Sequence, residues 1–358
     1  MTGAPAGVLE KTSMPPALAH GAALGLSELL RRATFRRGVL TDSHGRIKRK
    51  LRISLTDRCN FRCRYCMPEQ PRWLPRDSLL TRDELRALAR VFVEELGITQ
   101  IRLTGGEPLL RRDLVDIVSD LDALRPRGLE RISLTTNGAL LERRIAALRA
   151  AGLDDVNVSL DARTAEVFRA LTGADAEPVL RGIAAARAAA VPAKINAVVI
   201  RGYNDHEILP LAQWALDEGY ELRFIEFMPL DGRGFWSPEK VVSEREILAT
   251  LAPRLRIEAL PRDASPATRY RVGAGTLGVI STVSNPFCTS CDRVRITATG
   301  ELYACLFSAR GADLAGALRH DPASVAARVR NAVWHKEAGY VAQPGYVQRP
   351  VTMHHLGG

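Results

Sequence analysis

From residue 50 onward, short apolar segments alternate with longer amphipathic ones, and this alternation leaves few architectures open to the chain. Each short segment has the length of a strand, and the segment after it repeats apolar residues at helical spacing. Strands separated by helices pair in parallel, because a parallel neighbour is reached only by a crossover connection. The pattern predicts an α/β fold with six parallel strands, at residues 51–55, 100–104, 131–135, 155–160, 194–200 and 221–227.

The first long segment shows the helical pattern most clearly. Thr81 and Glu84 stand three residues apart at its start, as in a capping box, and Leu85, Leu88 and Phe92 then fall on one face. Six strand–helix units fit either a six-stranded partial barrel or an open doubly wound sheet, and counting strands does not decide between them. In both architectures, ligands bind at the carboxyl ends of the strands.

Beyond Pro229 the pattern changes to a glycine-rich connection, one helix at residues 243–251 and several short strands. The predicted strands lie at residues 254–260, 270–272, 277–281, 294–297 and 302–305. We interpret them as a second, smaller α+β layer. The predicted organisation is therefore a flexible basic extension at residues 1–40, a core at residues 41–232 and a C-terminal domain at residues 233–358.

Three cysteines follow the first predicted strand at C-x3-C-x2-C spacing: Cys59, Cys63 and Cys66. Three thiolates can hold a cluster of four irons and leave one iron without a protein ligand, which is where chemistry can occur. The alternative is a structural zinc site, but such a site needs four ligands, and no His or fourth Cys stands nearby in the sequence. The run therefore favours an iron–sulfur cluster with an open position.

A second group of three cysteines, Cys288, Cys291 and Cys305, stands in the predicted C-terminal domain. Asp292 is the other potential protein ligand close by, so a zinc site that uses Asp292 or a distant His stays open as an alternative. A second four-iron cluster fits better beside the first. Its vacant iron could bind a nitrogen or oxygen atom of a substrate.

Two arginines accompany the second triad. Arg293 and Arg295 follow Cys291 at two and four residues' distance, so on a strand they project from the same face. Planar guanidinium groups are suited to bidentate contacts with phosphate oxygens. A solvated rim is the alternative for such a pair, but the position beside the cysteines favours phosphate binding.

Composition limits the setting in which the chain works. Six cysteines grouped in two triads argue against a disulfide framework in a chain of 358 residues and predict a reducing, cytoplasmic location. No apolar run reaches the roughly eighteen residues of a membrane span, so no membrane partner is expected.

The net charge of +10 comes mostly from the first 64 residues, where thirteen basic residues oppose four acidic ones. Such a concentration either attracts nucleic acid or a polyphosphate, or only solubilises an extension.

The segment Thr104-Gly105-Gly106-Glu107-Pro108 directly follows a predicted strand, where two residues without a Cβ let a ligand approach the backbone. Together with the first triad, it resembles the signature of the radical S-adenosylmethionine (SAM) family. The resemblance implies a six-stranded partial barrel of the TIM type, and a [4Fe–4S] cluster whose open iron takes SAM. It also implies SAM contacts at Tyr65, Gly106, Ser159 and Met228. Plain packing is the alternative for the tyrosine and the methionine.

Over residues 41–358 the resemblance narrows to one group of radical SAM enzymes. It rests on residues 51–59 and 223–228, on the second triad with its two arginines, and on the terminal Gly357-Gly358. These features resemble the GTP 3',8-cyclase family of molybdenum cofactor biosynthesis. The resemblance implies a lyase in which a 5'-deoxyadenosyl radical removes the 3' hydrogen of GTP. The C3' radical then attacks C8, giving (8S)-3',8-cyclo-7,8-dihydroguanosine 5'-triphosphate.

The same resemblance implies roles for particular residues. Guanine is anchored at the open iron of the second cluster, and Arg223 is a further candidate for contact with GTP. His354 and His355 depart from the small polar residue expected before the tail. Catalytic roles fall on the arginine pair and on the glycine tail that enters the active site: Arg293, Arg295, Gly357 and Gly358. GTP contacts fall on Arg52, Arg102, Thr135, Lys194, Arg293 and Arg295.

The family resemblance also implies partners. The electron donor would be a small redox protein such as flavodoxin or ferredoxin, and the product would pass to cyclic pyranopterin monophosphate synthase. The chain is expected to be a homodimer or a monomer.

Two rival hypotheses stay open from the sequence. A radical SAM peptide maturase also carries extra clusters in a C-terminal extension, although such enzymes usually need more cysteines there than three. A non-catalytic zinc module that binds nucleic acid would explain the basic N-terminal region. It leaves the strand–helix alternation, the GGEP segment and the glycine tail unexplained.

Overall fold

One mixed β-sheet organises the part of the chain that the structure describes. The structure is a computed structural model, and it describes residues 38–263, 265–339 and 352–357. Most of the predicted extension at residues 1–40 therefore lies outside the described residues. Within them, twelve strands form the sheet and two form a separate hairpin. The strands are β1 (Leu40–Thr41), β2 (Ile47–Lys48), β3 (Lys50–Ser54), β4 (Gln100–Thr104), β5 (Arg131–Thr136), β6 (Asp155–Ser159), β7 (Ala193–Val199), β8 (Glu221–Glu226), β9 (Ile257–Ala259), β10 (Thr268–Val272), β11 (Gly275–Ile280), β12 (Arg293–Ile296), β13 (Glu301–Tyr303) and β14 (Ala312–Asp313).

The six central strands, β3 to β8, lie side by side in chain order and are all parallel. Their bounds agree with the six predicted strands to within one residue at each end, so these predictions are confirmed. Side chains alternate across each strand: in β3, Leu51 and Ile53 are buried in the main apolar core, and Arg52 between them points to the opposite face. That opposite face carries the polar residues of the candidate site.

Helices connect the strands and cover their apolar face. They are α1 (Arg82–Arg90), α2 (Leu114–Asp122), α3 (Ile145–Ala150), α4 (Ala165–Thr172), α5 (Glu177–Ala188), α6 (Ile208–Asp217), α7 (Glu244–Leu251), α8 (Ala315–His320), α9 (Val325–Trp334) and α10 (Met353–Leu356). The predicted capping box of α1 is confirmed, because the Glu84 N–H donates to the Thr81 hydroxyl and the Thr81 N–H donates to the Glu84 carboxylate. Leu85 and Leu88 are buried on the inner face of α1, as predicted. In the described part of the chain, no helix combines the length and the apolar character needed to cross a membrane.

The strands of the C-terminal segment extend both edges of the same sheet. β11 pairs in parallel with β8, and β12 pairs in parallel with β3. Antiparallel strands then follow at each outer edge. The interpretation of these strands as a second layer is therefore wrong. Apolar patterning identifies a strand, but the edge to which it pairs depends on contacts that are distant in sequence. The helix predicted at residues 243–251 is confirmed as α7, with Ser243 as its cap.

The hairpin of β1 and β2 has no counterpart among the sequence predictions. Each strand is two residues long, which is too short to show a periodic pattern. The Ser43 N–H, in the turn between the strands, donates to the Trp334 carbonyl at 3.3 Å. The hairpin therefore lies against the end of α9.

The capping box of α1 should contribute measurably to stability. Replacing Thr81 by Ala removes the hydroxyl that accepts from the Glu84 N–H, so the free energy of unfolding should fall by about 1 kcal/mol. Urea denaturation followed by circular dichroism measures the change. Thr250→Ala is the control, because this exposed hydroxyl only bonds back to the Glu246 carbonyl of its own helix. It should change the free energy by less than about 0.5 kcal/mol, and equal effects at both positions would contradict the capping role.

Candidate active site

The polar face of the sheet borders a cavity with a volume of about 280 Å³. Both cysteine triads line this cavity: Cys59, Cys63 and Cys66, and Cys288, Cys291 and Cys305. All six are free thiols and half-buried. Two groups of thiols that are far apart in sequence therefore share one chamber.

The first triad lies on the loop that leaves β3. The Phe61 N–H donates to Cys59 Sγ at 3.4 Å, and the Cys66 N–H donates to the Cys63 carbonyl at 3.1 Å. Phe61 is buried and packs edge-on against Phe168, with 6.1 Å between the ring centroids, which anchors the loop to α4. Burial raises the pKa of the Cys59 thiol to about 11. A bound metal must therefore displace this proton before the sulfur can act as a ligand.

The two glycines that follow β4 pack against the backbone just before the first triad. A Cβ at Gly106 would lie 2.4 Å from the Arg58 carbonyl oxygen, and a Cβ at Gly105 would lie 2.6 Å from that of Thr56. The Gly106 N–H donates to the Thr56 carbonyl at 2.7 Å. Glycine is thus required at both positions to bring the turn close to the cysteine loop.

Glu107 is a buried carboxylate for which the sequence predicted no role of its own. It accepts hydrogen bonds from the Leu109 N–H at 2.9 Å, the Thr136 hydroxyl at 2.7 Å and the Asn137 N–H at 2.7 Å. Burial raises its pKa to about 7, although these hydrogen bonds oppose the shift. The Asn137 side chain also donates to Cys59 Sγ at 3.7 Å. Glu107 therefore fixes the ends of β4 and β5 next to the first triad.

The residues predicted to contact SAM all line the cavity: Tyr65, Gly106, Ser159 and Met228. The Tyr65 hydroxyl donates to Asp161 Oδ2 at 2.6 Å, and Asp161 also accepts from the Val198 N–H at 2.9 Å. Asp161 is buried, and burial raises its pKa to about 6. Asp161, for which no role was predicted, thus fixes the ring of Tyr65 in the cavity wall.

Four arginines form a basic part of the lining, with Thr135 also in the cavity wall: Arg52, Arg223, Arg293 and Arg295. Arg52 and Arg295 are register partners on β3 and β12. Burial, and then repulsion from Arg293, lower the pKa of Arg295 to about 10. Burial, and then repulsion from Arg295, lower the pKa of Arg52 well below its ordinary value. Positive charge is therefore crowded in the cavity, which favours an anionic ligand.

Two other residues predicted to bind GTP, Arg102 and Lys194, lie outside the cavity lining. Carboxylates hold both of them: Asp155 lies 3.3 Å from Arg102, and Glu221 lies 2.7 Å from Lys194. Glu221 also holds Arg223 at 2.6 Å. The acidic residues at the starts of β6 and β8 were visible in the sequence, but their pairing depends on strand register.

Two buried amide oxygens in the lining have no hydrogen-bond partner among the described residues. They are Oδ1 of Asn157 on β6 and Oδ1 of Asn196 on β7. An unpaired buried acceptor costs about 1–3 kcal/mol, which a donor group on a bound ligand would offset. Alternation places both residues on the polar face, but the missing partner is visible only in three dimensions.

The C-terminal tail reaches the same cavity. The Gly357 carbonyl accepts from Arg295 Nη1 at 2.7 Å. Gly357 has a φ of +73°, and a Cβ there would lie 2.5 Å from Thr104 Cγ2, so only glycine fits. Gly358, the other predicted tail residue, lies outside the described residues. His354 is buried, and burial lowers its pKa to about 4, so it packs as a neutral ring.

The second triad stands in basic surroundings. The Cys291 N–H donates to the Cys288 carbonyl at 3.2 Å, which closes a tight turn between the two cysteines. Burial alone would raise the pKa of the Cys291 thiol. Lys336 and Arg293 nevertheless lower that pKa to about 6.

The donor sets fit four-iron clusters. The first triad lies on one loop, and the second is divided between the turn before β12 and the segment after β13. All six thiols line the same cavity, which matches three protein ligands and one open iron at each cluster. Among the described residues, no three His, Cys, Asp or Glu side chains come close enough to hold a single metal ion. Asp292, the alternative zinc ligand, is paired with Lys50 at 2.9 Å.

Comparisons with known proteins identify the class of enzyme. The model of the Radical SAM superfamily matches residues 53–215, and the model named Molybdenum Cofactor Synthesis C matches residues 220–342. The crystal structure of Streptococcus suis SuiB bound to S-adenosylmethionine is similar in fold. Its TM-score is 0.52 and its sequence identity 14%, and the match covers 80% of this chain and 69% of that one. The chain is a radical SAM enzyme with an α/β fold built on a mixed sheet.

Curated relatives identify the family. GTP 3',8-cyclase of Streptomyces coelicolor is 48% identical over 343 residues, which cover 92% of this chain and 100% of that protein. GTP 3',8-cyclase 2 of Mycobacterium tuberculosis H37Rv is 45% identical over 335 residues, which cover 90% of this chain and 92% of that protein. The chain belongs to the GTP 3',8-cyclase family. The resemblance predicted from the triads, the GGEP segment and the glycine tail is confirmed.

Glu107 should give the stability of the chain a distinctive pH dependence. Its folded-state pKa of about 7 lies above the ordinary value of 4.5, so the folded chain binds this proton more tightly than the unfolded chain does. The stabilisation is full below pH 4.5 and is lost as the pH rises to 7, by about 3 kcal/mol in total. Glu107→Gln removes this titration. Its cost in unfolding free energy, measured by urea denaturation, should therefore be larger at pH 5 than at pH 8.

Glu166→Gln, on the exposed start of α4, is the matched control for the same chemical change. If Glu107→Gln costs the same free energy at pH 5 and pH 8, the raised pKa of Glu107 is wrong.

Proposed function

We propose that this chain converts GTP to (8S)-3',8-cyclo-7,8-dihydroguanosine 5'-triphosphate in molybdenum cofactor biosynthesis. The observation that carries the proposal is that both cysteine triads and four arginines line one cavity. A reaction between a radical source and a nucleotide needs both held in one chamber, at a fixed orientation. Relatives named GTP 3',8-cyclase match almost the whole chain, which supports this assignment.

The first triad is assigned to a [4Fe–4S] cluster that binds SAM. When bound, these groups supply the electron and the 5'-deoxyadenosyl radical that takes the 3' hydrogen of GTP. The chain's own residues hold the site in place: Asp161 fixes Tyr65, and Glu107 fixes the strand end beside Gly106. SAM contacts are assigned to Tyr65, Gly106, Ser159 and Met228.

The arginines are assigned to the triphosphate. A phosphate oxygen between Arg52 and Arg295 would offset the burial and the neighbouring positive charge that lower the pKa of both groups. For Arg102 and Lys194, a contact with GTP requires the phosphate to share these cations with their carboxylate partners. GTP contacts are assigned to Arg52, Arg102, Thr135, Lys194, Arg293 and Arg295, with Arg223 as a further contact.

The second triad is assigned to another [4Fe–4S] cluster, whose open iron anchors guanine. The hydrogen bond from Arg295 to the Gly357 carbonyl supports a tail that lies beside the nucleotide. A tail without side chains leaves room for the ribose. Catalytic roles are assigned to Arg293, Arg295, Gly357 and Gly358.

We extend the proposal to the organisation and setting of the chain. The six parallel strands would curve into a partial barrel within residues 41–232, and residues 233–358 would form the domain that binds the second cluster. The boundary between the two matched family models, at residues 215–220, supports this division. Residues 1–40 are assigned to an extension. The chain is assigned to the cytoplasm and to a homodimer or a monomer as its working form. Flavodoxin or ferredoxin is assigned as the electron donor. Cyclic pyranopterin monophosphate synthase is assigned as the recipient of the product.

Anaerobic reconstitution with iron and sulfide, followed by incubation with SAM, dithionite and GTP, tests the proposal. We expect about eight irons per chain, and formation of 5'-deoxyadenosine together with cyclised GTP. SAM cleavage that a peptide stimulates and GTP does not would support a peptide maturase instead. Bound zinc without sulfide would support a nucleic-acid-binding module.

Serine substitutions should separate the roles of the two triads. Cys63→Ser should abolish SAM cleavage and leave about four irons, because the first cluster loses a ligand. Cys291→Ser should still cleave SAM under dithionite but form no cyclised GTP, because guanine loses its anchor. Iron analysis and chromatography of the two products measure both effects. Equal loss of SAM cleavage in the two variants would contradict separate roles.

A further inference from the structure

Lys336 lies beside the second triad, in the turn that follows α9. Its side chain is buried and lines the cavity. Nζ donates to Cys291 Sγ at 3.2 Å and to the Arg293 carbonyl at 3.1 Å. In the first triad, by contrast, Cys59 Sγ accepts from neutral groups, the Phe61 N–H and the Asn137 amide. The two triads therefore differ in the charge of the group that reaches a ligand sulfur.

A buried ammonium group requires compensation. Removing a charge from water costs several kcal/mol unless an opposite charge or hydrogen bonds offset the loss. Among the described residues, no carboxylate forms an ion pair with Lys336. The two acceptors of its ammonium group are the Cys291 sulfur and the Arg293 carbonyl oxygen. A thiolate at Cys291 would supply the missing negative charge. Thiolate is also the form in which cysteine binds iron.

The backbone of the same loop is fixed independently by the β1–β2 hairpin. Lys48 is fully buried and donates to the Cys291 carbonyl at 2.7 Å and to Asp42 Oδ2 at 2.7 Å. Arg46 pairs with Asp42 at 2.6 Å and donates to the carbonyl of the first cysteine of the triad at 2.8 Å. These hairpin contacts reach the carbonyl oxygens of Cys288 and Cys291, whereas Lys336 contacts the Cys291 sulfur itself. Replacing Lys336 should therefore change the surroundings of the ligand sulfur while the hairpin still holds the loop.

We propose that Lys336 is a positioning residue for the second cluster. Its N–H···S hydrogen bond orients Cys291 as a ligand, and its positive charge raises the reduction potential of that cluster. Hydrogen bonds to the sulfurs and net charge are among the factors that set such potentials, because one-electron reduction adds negative charge to the cluster. The contact with the Arg293 carbonyl also holds the first residue of β12 in line with the ligand. This inference rests on the proposed function for the presence of a second cluster.

The test uses the full chain with Ser in place of Cys59, Cys63 and Cys66, so that the signal of the second cluster is observed alone. Lys336→Met removes both the charge and the donor. Lys336→Gln keeps a donor without the charge, and Lys336→Arg keeps both. Redox titration monitored by electron paramagnetic resonance gives the midpoint potential of each variant. Arg181→Met, on the exposed face of α5, loses one positive charge away from the cavity and is the matched control.

The parent for all comparisons is the chain with Ser at positions 59, 63 and 66 and Lys336 intact. We expect the Met variant to have a more negative midpoint potential than this parent and an altered resonance line shape. The Arg variant and the Arg181→Met control should match the parent, and the Gln variant should fall between. Loss of the cluster from the Met variant, with retention in the Arg variant and unchanged circular dichroism, would also support the ligand-positioning role. An unchanged potential and line shape in the Met variant at full iron content would overturn the proposal. Loss of folded structure in all three variants, Arg included, would overturn it as well, because the role of Lys336 would then be general packing.

Failure of this inference is distinguishable from failure of the proposed function. Iron and sulfide analysis of the parent shows first whether a second cluster forms at all. If the parent binds no cluster at the second triad, the proposed function is wrong. If the parent binds a cluster whose midpoint potential does not change when Lys336 is replaced, only the inference about Lys336 is wrong.

Discussion

The parallel pairing of β12 with β3 is the contact on which the candidate site depends. It places Arg295 beside Arg52 in one ladder, although most of the chain lies between the two strands. The first triad follows the end of β3, and two of the three cysteines in the second triad precede β12, so this ladder sets the distance between them. Each triad alone could hold a cluster. The pairing of β12 with β3 brings both triads to the same cavity.

Half-buried ion pairs then determine how the polar face of the sheet is arranged. Asp155 and Glu221 hold Arg102, Lys194 and Arg223 in fixed orientations. Asp155 is itself buried, so removing Arg102 would leave its carboxylate without one of its compensating charges, which is destabilising. The cations near the cavity are therefore placed before any ligand arrives. Binding a polyphosphate to such a surface loses less side-chain entropy than ordering free lysines and arginines would.

Much of the fold and part of the site could be predicted from the sequence, for reasons that are local. The six central strands and the capping box at Thr81 follow from alternation and helical spacing, which adjacent residues determine. The triads follow from cysteine spacing. The pairing of β12 with β3 and the separation of Arg102 from the cavity lining depend on strand register and on carboxylate partners, which no local pattern specifies. The roles of Glu107 and Lys336 depend on burial, and the sequence around an isolated charged residue does not show that its side chain is buried.

The buried charged groups beside the two triads differ in kind, carboxyl groups beside the first and cations beside the second, and this difference has a consequence for where ligands bind. Glu107 and Asp161 are buried beside the first triad, and burial together with neighbouring acidic groups raises the pKa of the Cys63 thiol. Lys336 and Arg293 instead lower the pKa of the Cys291 thiol. Because opposite charges attract strongly where water is excluded, the cations beside the second triad favour a polyanionic ligand on that side of the cavity. SAM, which carries a sulfonium cation, has the opposite preference. Under the proposed function, this difference would favour the triphosphate of GTP beside the second triad and SAM beside the first.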